Sequence, residues 1–125
     1  MKTSSAKAKG RKLCKEVKEL IHDNNPELHH DDVLVTASGQ NGEDIQLSPL
    51  ARGFLPISIE CKAQERLNIW AAIEQAENNA SHFSTVVIFR KNRSKTYAVI
   101  EADTLFELLR LKYEEEVETI TKGKQ

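Results

Sequence analysis

The sequence predicts an α/β domain whose mixed central sheet, of about five strands, is flanked by helices in the chain order αβββαββα. Three observations carry that prediction. Apolar residues recur at helical spacing near both ends and in the middle of the chain. Short β-branched runs fall between those segments. One of them, STVVIFR at 84–90, is apolar without a break through its centre, as suits a strand covered on both faces.

The elements follow in order. Leu13, Val17, Leu20 and Ile21 mark a helix from Arg11 to about Asn24, preceded by Gly10 and a flexible basic arm over 1–10. Pro26 disfavours helical geometry at Asn25 and closes it. DVLVTA (32–37) reads as a strand, SGQNG as a turn and EDIQL as a second strand. SPLARGF (48–54) is expected as a loop, and PISIEC as a third strand with Pro56 at its tolerant first position. Leu67, Trp70, Ile73 and Ala76 then predict a helix over about 65–80. STVVIFR follows as a central strand, NRS as a turn, and KTYAVIEA (95–102) as the last strand. Asp103 caps a final helix, expected to fray into an acidic tail over 114–125. Leu105, Phe106, Leu108, Leu109 and Leu111 make that helix apolar around much of its circumference, as core or as an interface between two copies.

The length fits a single domain, and 39% apolar with 30% charged residues is an ordinary globular composition. No apolar run approaches the roughly 20 residues of a membrane span. MKTSSAKAKGRK is basic without the apolar segment of a secretory signal, so a cytoplasmic setting is expected. Cys14 and Cys61 follow no metal or redox spacing and are expected as small buried hydrophobes. The net charge of −1 conceals an asymmetry. Lys2, Lys7, Lys9, Arg11, Lys12, Lys15 and Lys18 face a single acid, Glu16, within the first 18 residues. RKNRSK (90–95) is a second basic cluster, while acids gather in YEEEVE near the C-terminal end. One positive face of this kind suits a polyanionic partner.

The chemistry centres on PISIECKAQE (56–65). Alternation along a strand puts Ile57, Ile59 and Cys61 on one face and Ser58, Glu60 and Lys62 on the other. Asp44 lies upstream, at the start of the preceding strand, where pairing can bring it beside Glu60. Two carboxylates with a backbone carbonyl (here that of Cys61) and waters form an oxygen site for Mg²⁺. Such an ion polarises a phosphate and activates water, and a neighbouring lysine orients that water or steadies developing charge. Glu43 competes with Asp44 for the role; Asp44 is preferred because Ile45 and Leu47 alternate away from it.

GEDIQLSP followed by PISIECK resembles the PD-(D/E)XK nuclease superfamily, whose acid, spacer and E-x-K pattern matches Asp44, Glu60 and Lys62. Glu43 stands where the motif's name has proline. The resemblance covers about residues 8–101, is strongest in IECKAQERLNIWAAIEQAENNA, and points to small phage- or archaeal-type Holliday junction resolvases. It implies a restriction-endonuclease-like core, Mg²⁺ as cofactor with Mn²⁺ able to substitute, branched DNA as substrate, and a homodimer. It implies no membrane and no small-molecule cofactor, and, for a phage protein, the host cytoplasm. By the same resemblance Glu16 (or Glu19) on the first helix and Gln75 after E-x-K assist catalysis. Alternatives within the superfamily are nicking, restriction or repair endonucleases on duplex, flap or mismatched DNA. A DNA-binding module that has lost catalysis is a further alternative.

Around this centre, Lys9, Arg11, Lys12, Arg52, Arg90, Lys91 and Arg93 are the expected phosphate contacts. Ser48 shares the loop of Arg52, and Trp70 is expected in the core rather than as a base-stacking platform. His22, His29, His30 and His82 lack zinc-ligand spacing. No glycine-rich phosphate loop, Ser-His-Asp order or nucleophilic cysteine motif is present.

Overall fold

The computed structural model describes residues 4–37, 42–80 and 83–123. Helix α1 (Ser4–Asn24) leads into a 3₁₀ turn (His30–Asp32) and strand β1 (Val33–Val35). Strand β2 (Ile45–Leu47), helix α2 (Pro49–Phe54) and strand β3 (Ile57–Ala63) follow. Helix α3 (Ile69–Asn79), strands β4 (Ser84–Arg90) and β5 (Tyr97–Ile100), and helix α4 (Ala102–Gly123) complete the order. The described strands form one mixed sheet in the order β1-β2-β3-β4-β5. All neighbours are antiparallel except β3 and β4, which run parallel because α3 carries the chain back between them.

Strand alternation decides which helix covers which face. Leu13, Val17 and Ile21 of α1 bury against Val33, Ile45, Ile59 and Cys61. Ala72 and Ala76 of α3 bury against Val87 on the opposite face. The parallel register sets Glu60 beside Val87 and Lys62 beside Phe89, so the charged residues of β3 lie under α3. The α/β class and the mixed five-stranded sheet flanked by helices are as the sequence predicts.

Several boundaries differ. The expected basic arm is helical from Ser4. Its alanines and lysines are strong helix formers, and one Gly10 costs only about 1 kcal/mol against them. At the other end of α1, Asn24 and Asn25 donate side-chain hydrogen bonds to the carbonyls of Leu20 and Ile21, occupying two of the orphan acceptors. SPLARGF is not a loop: Ser48 Oγ accepts from Ala51 N at 3.1 Å, Pro49 pre-sets the first turn, and α2 forms. Asn68 caps α3 in the same manner, which moves its start from Glu65 to Ile69. Trp70 consequently falls on the outer side of α3 and is 79% exposed, not core. The expected acidic tail is helical to Gly123, supported by the pairs Arg110–Glu114 and Glu118–Lys122. The NRS turn forms as expected, with Arg93 at φ 63° and Ser94 N donating to Lys91 O. Residues 38–41 of the SGQNG turn, and His82, lie outside the described residues, while its last residue, Gly42, has φ 101°. No helix among the described residues is long and apolar enough to cross a membrane.

Truncation separates the buried stripe from the surface. Leu13→Ala, at a fully buried site, should lower the urea-unfolding free energy by about 2–5 kcal/mol. Leu50→Ala, at a half-exposed site, should change it by less than about 0.5 kcal/mol.

Candidate functional site

Among the described residues, strands β2 and β3 pair only at Ile45 and Ile59 before the sheet forks. Asp44 N still donates to Ile59 O at 3.2 Å, but the next donor along β3, Cys61 N, has no strand partner on this side among the described residues. The Asp44 carboxylate takes that place, with Oδ2 accepting from Cys61 N at 2.7 Å. A buried N–H left without an acceptor costs about 1–3 kcal/mol, so this bond fixes Asp44 at the fork. The register of Ile45 with Ile59 also sets Asp44 directly across from Glu60.

The fork opens into a cavity of about 460 Å³. Asp44, Glu60, Lys62 and Gln75 all line it, together with Lys7, Gly10, Arg11 and Cys14 of α1. Glu60 is 3% exposed. Asn79 Nδ2 donates to its Oε2 at 3.3 Å, and Lys62 Nζ stands 3.9 Å from its Oε1. Lys62 Nζ donates instead to Gln75 Oε1 at 2.7 Å. Burial, and next the negative charge of Asp44, push the Glu60 carboxyl up to about 7; the Asn79 bond and Lys62 offset this only in part. Two facing carboxylates under-compensated by protein cations form a donor set that suits a divalent cation.

The rival acid, Glu43, is engaged elsewhere and does not line the cavity. Glu43 receives both Arg52 Nη2 bonds at 2.9 Å. Arg52 also donates to Ile57 O at 2.6 Å and lies 4.5 Å over the Phe83 ring. Arg52 therefore ties α2 to the start of β3 and is not a free phosphate contact, contrary to expectation. Ser48, besides capping α2, donates to Asp32 Oδ1 at 2.7 Å; that bond and the one from His29 N hold the Asp32 carboxyl below its ordinary range.

Glu16 departs from the expected constellation. It lies about 200° around α1 from Cys14, outside the cavity lining, and pairs with Arg90. Glu19 is exposed and does not line the cavity. Arg90 is thereby committed to Glu16, while Lys91, Arg93 and Lys12 are exposed. Lys9 and Lys91 border a small recess beside Gln64 and Glu65. Cys61, expected to offer its carbonyl, lies on the cavity wall between Glu60 and Lys62.

Lys7, Asn79 and the thiol of Cys14 went unassigned in the sequence. The spacing of Lys7, Arg11 and Cys14 is one helical stripe, legible once α1 is extended back to Ser4. Cys14 and Cys61, remote in sequence, stand side by side; the interaction between the two thiols holds Cys14 below its usual range and, with burial, pushes Cys61 up. They are not merely separate packing groups. His22 and His30 stack with centroids 6.5 Å apart, away from this cavity. Compared with family models, curated proteins and solved structures, the chain matches none.

The Glu60 shift carries a pH prediction. The folded protein keeps a proton that unfolded Glu60 releases above about 4.5, so stability falls as pH rises from there to about 7. In chelator, thermal unfolding should show the melting temperature dropping across that window, and Glu60→Gln should flatten the drop.

Proposed function

We propose that the protein is a metal-dependent endodeoxyribonuclease of the PD-(D/E)XK type, with a restriction-endonuclease-like core and a four-way DNA junction as preferred substrate. The observation that carries the reading is the convergence of Asp44, Glu60, Lys62 and Gln75 on one cavity whose α1 wall presents Lys7 and Arg11. The metal donors would be Asp44, Glu60 and the Cys61 carbonyl. Mg²⁺ there, or Mn²⁺ in its place, supplies polarisation of the scissile phosphate and a more acidic water.

The chain's own residues supply the rest. Lys62 offers a fixed ammonium to the attacking water or the phosphate oxygens. Gln75 is a positioning residue, because its carbonyl oxygen holds Lys62 Nζ off Glu60. Lys7 and Arg11 neutralise the strand where it enters, and Lys9, Lys12, Lys91 and Arg93 extend that positive surface. Glu16 and Arg90 brace α1 against β4 in this mechanism rather than touching substrate.

Paired cuts across a junction require two such sites, hence a symmetric homodimer. Helix α4 buries no residue, and Phe106, Leu109, Tyr113, Val117 and Ile120 form one exposed apolar stripe along it. Packed antiparallel about Tyr113, two copies place Arg110 opposite Glu116 and Lys112 opposite Glu114; parallel packing would stack like charges. Sedimentation should therefore report a dimer, and Leu109→Lys with Val117→Lys should shift it to monomer.

The activity test uses a synthetic four-way junction, a linear duplex and single strands, with Mg²⁺ or chelator. Symmetric junction cuts that require Mg²⁺ and fall by about 100-fold or more in Asp44→Asn and Lys62→Ala are expected. Equal cutting of the duplex would remove the junction preference and favour a restriction, nicking or repair substrate. Metal-dependent junction binding with no cutting of any substrate would favour a binding module, and full activity in Lys62→Ala would end the assigned mechanism.

A further inference from the structure

The mouth of the cavity brings together a second donor set of different chemical character. Cys14 Sγ of α1, Cys61 Sγ of β3 and an Asp44 carboxylate oxygen all lie within 4.8 Å of one another. Among the described residues this is the group of three or more cysteine, histidine or carboxylate side chains close enough to share one ion. The three residues come from separate segments, so the fold, not local sequence, assembles them. Asp44 Oδ2 is engaged by Cys61 N, which orients the carboxylate as an outer partner orients a metal ligand. Cys61 is buried, whereas Cys14 and Asp44 are half-buried and line the open cavity, so an ion and a fourth, water ligand have a route in.

Thiolates discriminate sharply among metals. They favour Zn²⁺ and softer ions over Mg²⁺, which takes oxygen donors. Zn–S bonds of about 2.3 Å and Zn–O bonds of about 2.0–2.2 Å put the ligand atoms of a tetrahedral site roughly 3.5 Å apart. The ligand atoms, within 4.8 Å of one another, need to draw in by at most about 1.3 Å to meet that.

We propose that Cys14, Cys61 and Asp44 form an open, three-ligand site for a thiophilic divalent ion of the Zn²⁺ class. The site shares Asp44 with the carboxylate pair but not Glu60, so occupancy by a soft ion withdraws Asp44 from any oxygen-ligated ion beside it. Binding at the thiols stands without the nuclease reading; only competition for Asp44 connects them.

The test is a Cd²⁺ titration of the full chain, kept reduced with a phosphine and free of DNA, followed by thiolate-to-metal absorption in the ultraviolet. One equivalent should give the band, and Co²⁺ should give the visible bands of a tetrahedral thiolate site. Cys14→Ser and Asp44→Asn should each weaken binding by at least the about 10- to 100-fold that loss of a mere supporting partner costs. Circular dichroism confirms that each variant is folded. Glu60→Gln should keep the band. Absence of the band at tenfold excess Cd²⁺, its persistence unchanged in Cys14→Ser, or its loss in Glu60→Gln would overturn the site. Because the readout contains no nucleic acid, failure of the nuclease assay leaves it untouched, and the reverse also holds.

Discussion

The hydrogen bond from Cys61 N to Asp44 Oδ2 is the constraint on which the candidate site depends. It exists because β2 leaves β3 after one paired residue, and a strand donor on a buried segment needs a new acceptor. A carboxylate is the strongest acceptor available to it, and using one there places a negative charge opposite Glu60. Burial, and next that charge, raise the Glu60 carboxyl, which Asn79 contacts, while an amide of Gln75 holds the neighbouring lysine.

The cost of such an arrangement is evident. Like charges facing each other across strands are destabilising, and burial adds to the penalty. The surrounding structure over-determines the geometry. Ile45, Ile59 and Leu13 pin the two strands and α1 into one core, while Glu43 and Arg52 clamp the start of β3 from the other side. Sites that concentrate uncompensated charge in a rigid frame are suited to binding a charge the protein itself does not carry. The two thiols at the same mouth give that frame a second chemical preference.

The sheet face and the α1 end contribute differently. Glu60 and Lys62 sit on the side covered by α3, which supplies amides from Gln75 and Asn79. Helix α1 covers the opposite face and brings cations and a thiol around the open edge. The cavity at the fork is thus lined from both layers. Helix α4 takes no part in this packing, and its apolar stripe remains outside the core.

Much of this was legible in the sequence, and for identifiable reasons. Strand alternation in PISIECK settles that Ile59 and Cys61 oppose Glu60 and Lys62, and helical spacing settles the buried stripe of α1. Turn and cap residues locate most elements, although the caps at Ser48 and Asn68 decide boundaries that periodicity alone blurs. The bond of Asp44 to Cys61 N, the pairings of Glu43 with Arg52 and of Glu16 with Arg90, and the exposure of Trp70 were decided only by the tertiary structure. Each turns on a partner distant in sequence or on a rotation of one or two residues about a helix. The meeting of Cys14 with Cys61 is of the same kind. Period and propensity specify which way a side chain faces along its own element; only packing specifies what stands opposite it.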